Sequence, residues 1–162
     1  GNIATNFRDV AHDNGLVTAA YVDSFVPDFI CCRLLTTPQY AKENRAELVH
    51  LLRAQLKAYH LYRTDKEKTL DLAKQTIEVD ENILRRQAYE YGHLKFSPDP
   101  EKKRVEEYYN AMKSVKYVEG RVNIDEYIDT SIYKDALDSL TAEAPEDPIW
   151  KELQKKYSQI DQ

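Results

Sequence analysis

The four histidines are the side chains best suited to bind a metal or move a proton. A helical metal site usually places two imidazoles four residues apart on one face, but His50 and His60 are ten residues apart in one predicted helix. His12 and His93 are distant from them in the sequence, and no cysteine or carboxylate completes a ligand set. We therefore predict no metal, no cofactor and no catalytic residue.

A second candidate site, for binding a small ligand, is the predicted loop at residues 21–28, which contains polar and aromatic residues close together in sequence. Tyr21, Asp23 and Phe25 precede an apolar run of strand length. Loops at strand ends often carry binding residues, so these three side chains are our candidate contacts for a small ligand. A plain connecting turn explains the same stretch, and the sequence leaves both interpretations open.

The apolar run itself occupies residues 29–36 and reads FICCRLLT. A continuous run of this length is typical of a strand that is buried on both faces of a sheet. We expect Cys31 and Cys32 to be small buried side chains in this strand. The alternative is a strained vicinal disulfide or a reactive thiol.

The rest of the chain has helical periodicity. Thr37 and Pro38 form a typical helix start, and an apolar stripe that ends at Tyr59 predicts a long helix over 45–63. Residues 3–14 carry apolar side chains at helical spacing, and further helices are expected from Asp65, from Asp80 and after Pro100. Two more helices are marked by their apolar residues, which are Ile132, Ala136, Leu137 and Leu140 for the first and Ile149, Trp150, Leu153 and Tyr157 for the last. The predicted fold class is therefore α/β and strongly helical, with one or two buried strands followed by about seven helices.

Composition narrows the range of partners. The chain has 162 residues, 42% hydrophobic and 31% charged, as expected for one globular domain. The net charge is −5, and basic residues alternate with acidic ones, as in KEK at 66–68. Nucleic-acid binding needs clustered lysines and arginines, so we predict no nucleic-acid partner. No apolar run approaches the roughly 20 residues of a membrane-spanning helix.

A family resemblance begins at the same apolar run. The stretch 29–62 resembles ABC-transporter solute-binding proteins of the nitrate, sulfonate, taurine and thiamine-precursor type. The matching motifs are Thr36-Thr37, the helix YAKEN at 40–44, and LRA at 52–54 with Ala58. Further matches are DENILRRQAYEY at 80–91 and SIYKDAL at 131–137, together with Gly120, Ile124, Asp125, Tyr127, Ile128 and Asp129. The resemblance covers residues 1–141.

The resemblance implies a partial fold of the periplasmic-binding-protein type II class. Such proteins have two α/β lobes and about twice this length, and this chain is similar only to the C-terminal half. Residues 1–28 would be the end of the second lobe with a connecting loop. Residues 29–36 would be a hinge-crossing strand, and residues 37–162 a helical part that returns to the first lobe.

The resemblance also implies a function outside the cytoplasm, in the periplasm or as a lipoprotein on the outer face of a bacterial membrane. The protein would capture a small solute by lobe closure and deliver it to an ABC permease, without catalysis. It would meet the membrane only through the permease or a lipid anchor. The missing N-terminal half, or self-association, would cover its apolar faces.

Two other functions stay open at this point. One is an enzyme of thiamine-pyrimidine synthesis, which resembles these binding proteins in fold but carries a cysteine-rich motif that Cys31-Cys32 alone does not reproduce. The other is a stand-alone helical module for protein interaction, which the high helix content favours.

Overall fold

The computed structural model describes residues 7–26, 30–92, 96–120 and 122–161. Within these ranges the chain forms eight α-helices and no strand. The predicted α/β class is therefore wrong, because the described residues contain no sheet. The helices are α1 (Arg8–Asp13), α2 (Pro38–Glu43), α3 (Arg45–Thr64), α4 (Lys66–Ala73), α5 (Glu81–Arg85), α6 (Lys102–Ser114), α7 (Ser131–Glu143) and α8 (Pro148–Ile160).

The helices belong to two compact units. The first unit comprises residues 1–29 and 61–97, and the second comprises residues 30–60 and 98–162. Most of α3 belongs to the second unit, and its last turn belongs to the first. No helix in the described ranges has both the length and the apolar character needed to cross a membrane.

The second unit has a core formed by α3, α7 and α8. Its buried side chains recur at helical spacing, so each helix turns one apolar stripe inward. All four apolar residues predicted for α8 are buried, as are the four predicted for α7. The central cluster consists of Leu56, Tyr133, Ala136, Leu137, Leu140, Ile149, Trp150, Leu153 and Tyr157.

Side chains at the helix starts explain several helix boundaries. Thr37 Oγ1 accepts the Tyr40 N–H at 3.1 Å, and Pro38 occupies the first turn of α2. Asp147 accepts the N–H groups of Ile149 and Trp150 at the start of α8. Such caps satisfy backbone donors that have no partner inside the helix. The predicted start of α2 is confirmed, and the long helix predicted over 45–63 is confirmed to within one residue.

The apolar run forms no strand in its described part, residues 30–36. Phe29 lies outside the described residues. Leu34 is 60% exposed and Leu35 is 93% exposed, so the predicted buried strand is wrong. An apolar run is buried as a strand only where a second strand pairs with it, and the described residues supply none. Arg33 instead binds Pro100 O at 2.8 Å and Glu101 at 2.9 Å.

The prediction for the two adjacent cysteines is wrong as well. Cys31 and Cys32 are both free and exposed, although we expected buried side chains. Their Sγ atoms lie 3.4 Å apart, well beyond the roughly 2.05 Å of a disulfide bond. No described residue pairs with residues 30–36 in a sheet, and both side chains are left exposed.

The first unit is organised around α4 and α5. Leu70 of α4 and Leu84 of α5 are its buried aliphatic residues among those described. After α5 the chain continues as a five-residue π-helical turn over Arg86–Glu90. Turns of this type are rare and occur often at functional sites.

Candidate functional site

The candidate site is a cluster of charged and aromatic side chains in the first unit. It combines Arg8 and Asp9 from α1, Tyr21 from the loop after α1, and Arg86 and Tyr91 at either end of the π-helical turn. We call these five residues the Arg8 cluster.

The Arg8 guanidinium is held by aromatic rings. Its Cζ lies 3.7 Å from the centre of the Tyr91 ring and 5.6 Å from that of Tyr21. Both distances fall within the range of a cation–π interaction. The Nε and Nη1 atoms of Arg8 are buried and have no hydrogen-bond partner among the described residues. The rings therefore position the cation, while no described residue accepts a hydrogen bond from these two donor atoms.

Next to Arg8, both carboxylate oxygens of Asp9 accept hydrogen bonds. Its carboxylate accepts a 2.5 Å hydrogen bond from the Tyr91 hydroxyl and a 3.1 Å bond from Arg86. The Tyr91 bond, opposed by burial and aided by Arg86, holds the pKa of Asp9 below its usual value. Burial, with the Asp9 bond, raises the pKa of Tyr91. Asp9 is therefore ionised and Tyr91 neutral around pH 7.

Two tyrosines fix the backbone that carries Arg86 and Tyr91. The Tyr62 hydroxyl donates to Ala88 O at 2.8 Å, and the Tyr89 hydroxyl donates to Tyr62 O at 3.1 Å. The Tyr62 and Tyr89 rings stack with centres 5.0 Å apart. Reciprocal bonds of this kind link the end of α3 to the π-helical turn, so Tyr91 is presented in a defined position.

The charges of the cluster favour an anion. Arg8 and Arg86 contribute two positive charges and Asp9 one negative charge, and the Asp9 carboxylate is satisfied by Arg86 and Tyr91. The remaining positive charge is that of Arg8. A planar guanidinium with free donors matches the geometry of a carboxylate or a similar oxyanion. The cluster contains no nucleophile paired with a base, so binding is the chemistry that it can support.

The structure places the three predicted ligand contacts in different environments. Tyr21 is half-buried and belongs to the Arg8 cluster. Asp23 is half-buried in a short 3₁₀ turn over Val22–Ser24. Phe25 follows that turn and is 76% exposed. The structure thus brings one of the three into the cluster.

Sequence reasoning missed Arg8, Asp9, Arg86 and Tyr91. The apolar spacing of residues 3–14 predicts only a helix, and Tyr91 falls on the apolar face of the helix predicted from Asp80. The contacts join residues about 80 positions apart, as in the Tyr91–Asp9 bond. No local sequence pattern predicts a contact between residues so far apart in the chain.

The histidines form no metal site in the described part of the chain, which contains no group of three or more histidine, cysteine, aspartate or glutamate side chains suited to one. His60 Nε2 lies 2.8 Å from Asp147 Oδ2 at the start of α8. His12 Nε2 lies 3.0 Å from Thr18 Oγ1. His93 is outside the described residues.

Comparison with protein-family models, with curated proteins and with solved structures found no match to this chain.

Proposed function

We propose that this chain is part of the solute-binding component of an ABC importer and that it binds a small solute through a carboxylate, sulfonate or similar oxyanion. The observation that carries the proposal is the Arg8 guanidinium, which is held on the Tyr91 ring with two buried donor atoms that no described residue satisfies. The solute would be captured outside the cytoplasm and delivered to a permease.

The energetic argument rests on the unsatisfied donors. A buried donor without a partner costs about 1–3 kcal/mol, and a charged one costs more. Native structures rarely retain such groups without a reason, and an absent ion or ligand is one such reason. A bound oxyanion would accept both Arg8 donors and pair with the positive charge of the cluster. Binding would therefore recover energy that the free protein has lost.

Exposed apolar side chains support a larger assembly. In the first unit Val17 is 87% exposed and Phe25 is 76% exposed, and in the second unit Leu35 is 93% exposed. Isolated exposed apolar residues are common, and large contiguous apolar patches are the ones that mark contact surfaces. Leu34 and Leu35 are adjacent in sequence and both exposed, which is compatible with such a surface. We propose that the N-terminal half implied by the resemblance covers them.

A helical protein-interaction module is the second candidate function. The absence of strands from the described ranges favours it, together with the exposed apolar residues. This alternative assigns no role to the unsatisfied donors of Arg8. Anion binding at Arg8 therefore distinguishes the two proposals.

Thermal unfolding with added anions tests the proposal. Ethanesulfonate, acetate and nitrate are compared with chloride at equal ionic strength. A ligand at ten times its Kd stabilises the folded state by about 1.4 kcal/mol, which corresponds to a rise in Tm of about 3–6 °C for a chain of this size. We expect at least one of the three oxyanions to give this rise.

The variant Arg8→Gln should lose the anion-dependent rise in Tm, whatever its own Tm is. Arg104→Gln is the matched control, because Arg104 is partly exposed and pairs with Glu107 on the surface of α6. The control should retain the rise. Equal rises in Arg8→Gln and the parent protein, or no rise in the parent, would contradict anion binding at Arg8.

A further inference from the structure

Two buried carboxyl groups lie in the second unit, at the start of α6 and the end of α8. Asp99 is 2% exposed and Asp161 is 1% exposed. The two carboxyl groups are neighbours, because they accept the N–H groups of the consecutive residues Glu101 and Lys102. Two carboxylates that share a buried site cannot both be ionised without a large energetic cost. The buried pair is therefore expected to hold one proton.

The same two side chains cap α6. Asp99 Oδ1 accepts the Glu101 N–H at 3.0 Å, and Asp161 Oδ1 accepts the Lys102 N–H at 2.7 Å. These backbone donors have no partner within the helix. Because Asp161 directly follows α8, the pair fastens the first turn of α6 to the end of α8.

The surroundings of the pair provide little charge compensation. Lys156 Nζ lies 4.0 Å from Asp99 Oδ1 but only 2.5 Å from Glu101 Oε1. Glu101 in turn also pairs with Arg33 at 2.9 Å. The titratable and charged groups that face the pair are Glu101 just before α6, Lys102 of α6, Tyr133 of α7, and Lys156 and Tyr157 of α8, with Arg33 beyond Glu101.

Burial and the neighbouring Asp161 raise the pKa of Asp99 to about 7. Burial also raises the pKa of Tyr133, and the charges of Asp99 and Asp161 add to that effect. The Tyr133 hydroxyl is buried without a hydrogen-bond partner in the described ranges. It therefore stays neutral while the pair titrates, and it supplies no compensating positive charge.

We propose that Asp99 and Asp161 form a proton-dependent latch, which holds the start of α6 to the end of α8 while one proton is shared and releases it when that proton is lost. On release the Asp99 proton passes to solvent and two adjacent carboxylates remain. Like charges in a buried site cannot both stay ionised at short distance without water. The carboxylates must separate, and the two capping bonds open with them.

The direction of the pH dependence follows from the raised pKa. An aspartate in the unfolded chain has a pKa of about 3.9, so the folded protein binds the extra proton between about pH 4 and pH 7. The stabilisation by the latch is complete below about pH 4. The stabilisation is lost as the pH rises from about 4 through about 7. Above that range the pair no longer changes the free energy of unfolding with pH.

Hydrogen exchange at the Glu101 and Lys102 amides tests the latch in the full chain. After correction for the intrinsic exchange rates, we expect protection of these amides to fall at least tenfold between pH 5 and pH 8.5. In Asp99→Asn the amide can donate to Asp161 without titrating, so protection should not depend on pH. The carboxyl carbon of Asp99 in the parent should titrate with a midpoint near pH 7.

Asp71→Asn is the matched control, because the same substitution falls on a side chain that is 70% exposed. It should show the same fall in protection as the parent protein. Asp161→Asn removes the other carboxylate and serves as the second variant if Asp99→Asn does not fold. Protection that is equal at both pH values would overturn the latch. So would a fall in Asp99→Asn equal to that of the parent, or an Asp99 carboxyl that titrates near pH 4.

Discussion

Replacing Leu137 by alanine should lower the free energy of unfolding of the second unit by about 2–5 kcal/mol. Leu137 is fully buried and lies in the cluster shared by α3, α7 and α8. The truncation removes apolar contacts and leaves a cavity that surrounding helices fill only in part. Trp150, the only tryptophan of the chain, belongs to the same cluster. Its fluorescence during urea unfolding reports the change.

Leu35→Ala is the matched control for this experiment. Leu35 is 93% exposed, so its truncation should change the free energy of unfolding by less than about 0.5 kcal/mol. If residues 29–36 formed a buried strand, this substitution would cost as much as the one at Leu137. A large loss at Leu35 together with a small loss at Leu137 would contradict the fold described above.

Asp147→Ala should destabilise the second unit by about 2 kcal/mol. Asp147 caps α8 through bonds of 2.9 Å and 3.4 Å to the N–H groups of Ile149 and Trp150. Loss of an aspartate cap costs about 0.5–2 kcal/mol. The substitution also removes the 2.8 Å contact with His60, whose ring lies 5.0 Å from that of Trp150. Urea unfolding again measures the loss.

Asp147→Asn separates the two contributions. Asparagine caps helices about as well as aspartate, so this variant should retain most of the stability that alanine loses. The remaining difference from the parent reports the effect of the Asp147 charge on its contact with His60. If Asp147→Ala unfolded at the same urea concentration as the parent, the assigned role of Asp147 would be wrong.

The helices of this protein could be predicted from local sequence because their signals are local. The apolar stripes of α7 and α8 recur at helical spacing, and all of their predicted core residues are buried. The start of α2 follows from the Thr37 side chain and the proline after it. Each signal acts within one or two turns and needs no knowledge of the rest of the fold.

The apolar run at 29–36 could not be assigned in the same way. A strand depends on a partner for its backbone groups, and the sequence does not say whether a partner exists. The run also contains Arg33, whose bonds to Pro100 and Glu101 join residues 67 and 68 positions apart. These contacts, which no local pattern encodes, hold the segment outside regular structure.

The candidate site, too, could be predicted from the sequence only in part. Tyr21 was predicted because it lies in a loop with other polar and aromatic residues. Arg8 and Tyr91 were not predicted, because their contact depends on the fold of the first unit rather than on spacing. The Arg8 guanidinium and the Tyr91 ring can form a binding site only because the fold brings them into contact.

The most direct test of the proposed anion site is the NMR signal of the Arg8 Nε–H group. This atom has no hydrogen-bond partner among the described residues, so an oxyanion that binds there must become its acceptor. Titration with ethanesulfonate should move the Arg8 Nε–H signal downfield in a saturable way and shift the ring signals of Tyr21 and Tyr91, while the Arg104 signal stays in place. An Arg8 signal that does not move, or that moves only as much as that of Arg104, would contradict the account.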